Sequence, residues 1–486
     1  MSDDIRHLEP TALWNFFADL NAVPRASKKE QQVIEFAKSF GETLGLETIV
    51  DDIGNVIIRK PATAGMEDRT PLVLQSHLDM VHQKNNDTDF DFATQGIQML
   101  LQGDWVHADG TTLGADNGIG VATIMALLAS KDIPHPAFDA LFTIDEETGM
   151  TGAKGLQGGL LQGKILLNLD TEEDCELTIG CAGGVDVTAT GTYSAVPVAA
   201  DTQGLKITVK GLKGGHSGME IHLGRANANK LMNRILWLAA KQYRLQVASI
   251  DGGGLRNAIP RESVATITIP KSNLAAFEQW FTTQASEIQA DFHATDPGCE
   301  VSFQEATVTE VIPADLQETL LASLHACLSG IYRMSPKIQG LVETSNNLAR
   351  VLVKDGAFQI GCLTRSSVNS QRDDLANSLV AVFQLTGAVV QTAGDYPGWQ
   401  PAPESAIVTL MSSLYVEMFK DQPHVSACHA GLECGILGTH YLDMDMISFG
   451  PNIRGAHSPE ERVQISSVQK FWTFLKETLK RIPKAA

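Results

Sequence analysis

Short apolar runs alternate with longer amphipathic stretches through the first 186 residues: Leu72 to Gln75, Gly118 to Ser130, Ala140 to Ile144, Ile165 to Leu169. Such a pattern steers a chain toward alternating strands and helices, and so toward an α/β fold with a mostly parallel sheet flanked by helices. From about Asp201 the texture changes to strand-like runs (Leu205 to Val209, Val264 to Ile269) separated by long helical segments such as Arg225 to Ala240. This reads as a second, α+β domain. The breaker-rich stretch Tyr396-Pro397-Gly398-Trp399-Gln400-Pro401-Ala402-Pro403 marks a return crossing, followed by a helix-like run (Ala406 to Phe419) and the apolar segment Met444 to Phe449. The expected organisation is a first domain built from residues 1–186 and 399–486, interrupted by an inserted domain over 187–398. At 486 residues and 43% hydrophobic, the chain has enough apolar material for two cores.

With 57 acidic against 37 basic residues, the net charge of -20 opposes attraction to phosphate backbones or anionic lipid. Nucleic acid and membrane are therefore not expected as partners. The start, Met1-Ser2-Asp3-Asp4-Ile5-Arg6, has neither a basic n-region nor an apolar h-region, and no window approaches the ~18 uncharged apolar residues of a membrane span. A soluble cytoplasmic protein is expected. The seven cysteines are scattered, with no Cys-x-x-Cys pair, so no disulfide framework is expected. Metal ligands, if present, should be His, Asp and Glu, a set that suits zinc, cobalt or manganese.

The chemistry-bearing residues recur at the ends of apolar runs. Leu72-Val73-Leu74-Gln75 leads into Ser76-His77-Leu78-Asp79, and residues two apart on extended chain point the same way. Asp116 stands in a glycine-flanked turn before a helix, where an N-cap role alone would account for it. Leu141-Phe142-Thr143-Ile144 runs into Asp145-Glu146-Glu147, and Ile165-Leu166-Leu167-Asn168-Leu169 into Asp170. Functional crevices in open α/β sheets lie outside the carboxyl ends of the strands, so these side chains should converge. So many carboxylates together repel one another, and a pair of divalent cations resolves the repulsion. Near the end, Gly450-Pro451-Asn452-Ile453-Arg454-Gly455-Ala456-His457-Ser458-Pro459-Glu460-Glu461 supplies a second histidine in a glycine-rich loop.

In this order the segments resemble the M20 family of co-catalytic zinc peptidases, from about Leu13 to the end of the chain. The resemblance implies a catalytic first domain and a lid in the inserted one. It makes Asp116 the carboxylate bridging two divalent ions, with His77 and Asp170 on one ion and Glu147 and His457 on the other. Zinc is the expected metal, with cobalt or manganese as substitutes. Asp79 would orient His77, and Glu146 would be the general base. In the inserted domain the resemblance points to His216, in Gly214-Gly215-His216-Ser217-Gly218, as a group stabilising the tetrahedral intermediate. It points to Asn257 as a lid residue near substrate, and Arg365 is a candidate to clamp a peptide carboxylate bidentately; an ordinary turn residue and an ordinary surface residue are the alternative readings of the two. The implied activity is hydrolysis of dipeptides with broad specificity, Xaa-His dipeptides included, and small peptides are the expected ligands. A homodimer is left open, because the insert of about 210 residues is roughly twice the lid of simpler relatives judged by ordinary domain sizes.

Two rival readings stand beside this one: an N-acyl amino acid deacylase or other small-peptide exopeptidase using the same metals, and a peptide- or metal-binding module without catalysis. Glu146 argues against the second, since a binder has no use for a base. Two motifs are decoys. Gly158 to Lys164 fits Gly-x-x-x-x-Gly-Lys but is followed by Ile165, where a P-loop needs a hydroxyl. Met219 replaces the last glycine of a nucleophile elbow at Gly215-His216-Ser217-Gly218.

Overall fold

The strands Leu72–His77, Phe138–Thr143 and Ile165–Asn168 are buried along their whole lengths. Continuous apolar strands of this kind belong inside a sheet covered on both faces. In the computed structural model, which describes residues 2–485, they lie at the middle of an eight-stranded sheet. Its order is Glu47–Val50, Val56–Lys60, Phe138–Thr143, Leu72–His77, Ile165–Asn168, Asp445–Ser448, Glu176–Cys181 and His424–Cys428. The four strands from Phe138–Thr143 to Asp445–Ser448 pair in parallel, while Val56–Lys60 on one side and Glu176–Cys181 on the other pair antiparallel with them. The fold is α/β, with its parallel part confined to that centre.

The chain divides into two compact units. The first comprises everything up to Gly180, then Trp399–Ala427 and Leu432 onward; the second comprises Cys181–Gly398 and Cys428–Gly431. In the first, the helix Ala115–Ala129 packs on Leu72–His77 and on the helix Thr11–Asn21. The run from Gly118 reads as amphipathic in sequence, yet this helix is buried on nearly every side. Glycine and alanine let it sit close: a Cβ on Gly120 would lie 2.7 Å from the Leu169 carbonyl oxygen. The helices Ala406–Phe419 and Ile465–Arg481 meet through Tyr415, Phe419 and Phe474.

Parallel register has a functional consequence, because it puts strand ends level with each other. His77 pairs opposite Thr143, and Gln75 opposite Asn168, which in turn is opposite Ser448. The segments that leave these ends, carrying Glu146 and Glu147, Asp170 and finally His457, therefore start from one edge.

The second unit is a nine-stranded antiparallel sheet, with Gln246–Gly253, Val342–Lys354 and Ala357–Ser366 near its middle. Along Thr202–Lys210 the residues Leu205, Ile207 and Val209 are buried in alternation, one face on the core. The helices Ala228–Tyr243, Lys271–Asp291, Ala314–Ala326 and Asn369–Gln384 contribute to that core. The first of these starts three residues later than the helical run in the sequence, because the Asn227 side chain accepts from the Asn229 and Lys230 N–H groups and caps it. Among the described residues, no helix is long and apolar enough to cross a membrane.

Leu74 is fully buried between two parallel partners. Replacing it with alanine should cost about 2–5 kcal/mol, read as a lower denaturant midpoint at unchanged slope.

Candidate metal centre

His77 closes its strand with its ring 1% exposed. Its Nε2 lies 3.2 Å from Asp116 Oδ1 and 3.5 Å from Asp170 Oδ1. The other Asp116 oxygen, Oδ2, lies 3.2 Å from His457 Nε2, which is also 3.0 Å from Glu147 Oε2. Each oxygen of one carboxylate thus faces a different imidazole. Two sets of donors, His77 with Asp116 and Asp170, and Asp116 with Glu147 and His457, each gather within 4.8 Å, and Asp116 belongs to both.

Local backbone explains why Asp116 is available. Gly114, at φ 71°, turns the chain into the helix, and a Cβ there would drive into the Arg25 guanidinium and Met80. Asp116 itself is non-helical (φ -81°, ψ 109°), and its two carboxylate oxygens lie against His77 Nε2 and His457 Nε2. The N-cap explanation of this aspartate does not hold. Its carboxylate is taken up by the two histidines.

Asp79, fully buried, faces His77 Nδ1 at 3.4 Å through Oδ1. The same oxygen accepts from the Glu146 N–H at 3.0 Å, and Oδ2 accepts from the Glu147 N–H at 3.3 Å and Ser27 Oγ at 2.8 Å. One aspartate therefore fixes an imidazole and the turn bearing both glutamates. Asp145, left-handed at φ 53°, is held by Lys28, Thr148 and Thr151, which sets how that turn leaves its strand.

Burial works against charging His77, but Asp170, Asp116 and Asp79 outweigh it and hold its pKa well above the ordinary value. Hydrogen bonds to Asp116 and Glu147 push His457 up to about 11 despite partial burial. Burial raises Glu146 well above the usual carboxylate range, with Asp170, Glu147 and Glu433 adding to it and His77 opposing. Asp170 is raised to about 6, chiefly by burial. Among the described residues no lysine or arginine forms an ion pair with Asp116, Glu147 or Asp170. Protonated imidazoles supply the positive charge in their place. Glu147 Oε1 is buried with no hydrogen-bond partner. An orphaned carboxylate oxygen beside nitrogen and oxygen donors fits a divalent cation of the zinc, cobalt or manganese kind.

His216, Asn257 and Arg365 belong to the second unit. The loop of His216 runs beside Asn257: the Ser217 N–H donates to the Asn257 carbonyl at 2.8 Å, and His216 bridges to Ala258. His216 Nδ1 accepts from the Gly218 and Met219 N–H groups at 3.2 and 2.9 Å. Burial, then Arg365, lowers its pKa to about 4, so the ring is neutral and carries its proton on Nε2. Arg365 is 4% exposed, donates to the Tyr396 hydroxyl at 2.8 Å and leaves Nε without a partner.

Several contributors carry no sequence signal. Arg25 donates to the carbonyls of Leu78, Asp79 and Gly114, tying two of the site's segments together. Glu433, fully buried, accepts from Gln75 and Thr143 at 2.6 Å each, and burial pushes it up to about 8. In the second unit His429 contacts Ser345 Oγ at 2.8 Å, and burial, then Arg365, lowers it to about 3. None follows a recognisable spacing, and each finds partners far away in the chain.

Comparison with known proteins gives a consistent result. The pattern of Peptidase family M20/M25/M40 matches residues 73–481. The cytosol non-specific dipeptidase of Escherichia coli (strain K12) is 42% identical over 481 residues, covering 99% of each chain. The crystal structure of an aminoacylhistidine dipeptidase from Vibrio alginolyticus is similar at TM-score 0.94 and 42% identity, covering 100% of both chains. A tripeptidase structure from Staphylococcus aureus, at 15% identity and TM-score 0.57, covering 98% of this chain and 99% of its own, shares the fold.

In protein stripped of divalent ions by a chelator, the His457 ring should stay protonated well above neutral pH. Because its pKa is raised, its stabilising contribution is complete below the ordinary 6.5 and is lost as pH rises through about 11. Ring-resolved NMR titration checks this, with Asp116→Asn expected to bring the pKa down. A ring titrating near 6.5 in the unaltered protein would contradict the pairing.

Proposed function

The chain belongs to Peptidase family M20/M25/M40, and from that membership we propose that it hydrolyses free dipeptides with broad specificity, Xaa-His dipeptides included, through two divalent ions held by the cluster around Asp116. The observation that carries this reading is the placement of that one carboxylate between two imidazole-terminated donor sets, with Glu146 beside them. His77, Asp116 and Asp170 would hold one ion, and Asp116, Glu147 and His457 the other. When bound, such ions lower the pKa of a coordinated water toward ~7 and polarise the scissile carbonyl. Zinc is the proposed metal, with cobalt or manganese as substitutes.

The protein's own residues supply the rest. Glu146 is half-buried and lies within donor distance of His77 and Glu147, but it stands outside the two sets that share Asp116, so its carboxylate is the one free to take a proton from the attacking water and pass it to the leaving amine. Asp79 holds the His77 ring through Nδ1, which keeps Nε2 as the nitrogen that binds. His216, neutral with a proton on Nε2, is a suitable donor to the oxyanion of the tetrahedral intermediate. Arg365, a buried guanidinium without a carboxylate partner, suits the terminal carboxylate of a short peptide, and Asn257 stands on the loop beside His216. Such a demand for a nearby free carboxylate selects dipeptides over folded proteins. The Escherichia coli relative is named a cytosol enzyme, and we place this chain in the same compartment.

The adjacent glutamates should fail differently. Glu146→Ala is expected to keep close to two ions per chain by elemental analysis while losing most turnover, and Glu147→Ala to lose metal as well; the reverse pattern would exchange their roles. His216→Ala, with metal content unchanged, should lower kcat by ~100- to 1,000-fold with a much smaller change in KM.

Substrate class is tested with a panel of unblocked dipeptides, some ending in histidine, against N-acetyl amino acids. Cleavage of the dipeptides, abolished by chelation and restored by added zinc, is expected. Efficient cleavage of the N-acetyl compounds with the dipeptides untouched would transfer the chain to deacylase chemistry.

A further inference from the structure

Glu461 is 2% exposed and has no part in the donor sets described above. Its Oε2 accepts from the Leu113 and Gly114 N–H groups at 2.8 Å each, and its Oε1 from those of Ala115 and Asp116 at 2.7 and 3.1 Å. Four N–H donors occupy the roughly four lone-pair sites a carboxylate offers. Glu461 therefore has no capacity left to bind an ion or move a proton, and its whole hydrogen-bonding strength is directed at the turn that launches Asp116. From the other side, Arg25 donates to the Gly114 carbonyl at 2.5 Å. The turn is thus held by its N–H groups and by a carbonyl at once.

The second fact concerns where Glu461 comes from. It belongs to the loop that carries His457, closed by bonds from the Ser458 N–H to the Gly455 carbonyl at 3.2 Å and from the Glu461 N–H to the Ser458 carbonyl at 3.0 Å. His457 is left-handed at φ 64°, a region that non-glycine residues enter uncommonly. The loop that offers an imidazole to one oxygen of Asp116 therefore also grips the backbone of Asp116.

We propose that Glu461 is a positioning residue for the metal centre: by taking all four N–H groups of Leu113–Asp116 from within the His457 loop, it holds Asp116 and His457 in register before any ion binds. This rests on the reading of Asp116 as the ligand shared by two ions. The alternative is a helix cap that contributes to stability and nothing else. The two differ in metal affinity. Glu461→Gln keeps the size but puts an NH2 group against two of the N–H donors, so the turn is released on one side.

The test is chelator competition on folded Glu461→Gln. Affinity for zinc should fall ~10- to 100-fold, the range for partners that orient metal ligands, and excess zinc should restore kcat with KM unchanged. A lower Tm of the metal-free variant with unaltered zinc affinity would overturn the proposal and leave a cap. Hydrogen exchange on the unaltered protein needs no variant. The Leu113–Asp116 amides should be as protected after metal removal as before, and free exchange once the metal is gone would overturn the proposal. Asp116→Asn separates the two layers. Loss of zinc there, with wild-type affinity in Glu461→Gln, rejects Glu461 alone; full zinc retention in Asp116→Asn rejects the shared-ligand reading and the proposal with it.

Discussion

Like charges a few ångströms apart cannot all stay ionised away from water, and that constraint organises the first unit. Asp79, Asp116, Glu146, Glu147, Asp170 and Glu433 gather beyond the ends of parallel strands whose interiors are wholly apolar. The cations set among them are few: two imidazoles, and a buried Arg25 whose guanidinium is spent on carbonyl groups. Protons fill part of the deficit, and divalent ions are the other way of filling it. The surrounding structure serves to keep carboxylates close that would otherwise separate. Asp79 pins the glutamate turn, Lys28 and two threonines pin Asp145, and Glu461 pins the turn of Asp116.

What could be read in the chain beforehand was what local pattern controls. His77 and Asp79 stand two apart at the end of an apolar strand, and Glu146, Glu147 and Asp170 follow similar strands, so their convergence follows from parallel register. The order of these residues carried the family resemblance. The partners that hold them were not legible, because each bond is made across a long stretch of chain. Glu461 lies 348 positions from Leu113, and Glu433 lies 358 from Gln75. A burial-driven choice was also hidden: the helix Ala115–Ala129 looks amphipathic from Gly118 onward, but close packing against Leu72–His77 and Thr11–Asn21 buries almost all of it.

The second unit solves a different electrostatic problem. Two of its histidines are kept neutral: burial and the nearby Arg365 lower both His216 and His429 far below the ordinary value. A neutral imidazole donates or accepts without bringing charge of its own, beside the buried Arg365 guanidinium. Burying a charge with so few partners is costly. A buried guanidinium short of partners is an electrostatic environment that favours an anion.

The position of Asp445–Ser448 has a consequence for how the molecule is made. This strand is an interior member of the first sheet, between Ile165–Asn168 and Glu176–Cys181, yet it is encoded near the end of the chain. A ribosome delivers the whole second unit before that strand emerges, since even its last residues, Cys428–Gly431, precede Asp445. Until then Glu176–Cys181 cannot join the strands up to Ile165–Asn168, while the inserted unit is already able to fold. The donor set that needs His457 can therefore form only after every residue of the second unit has been made.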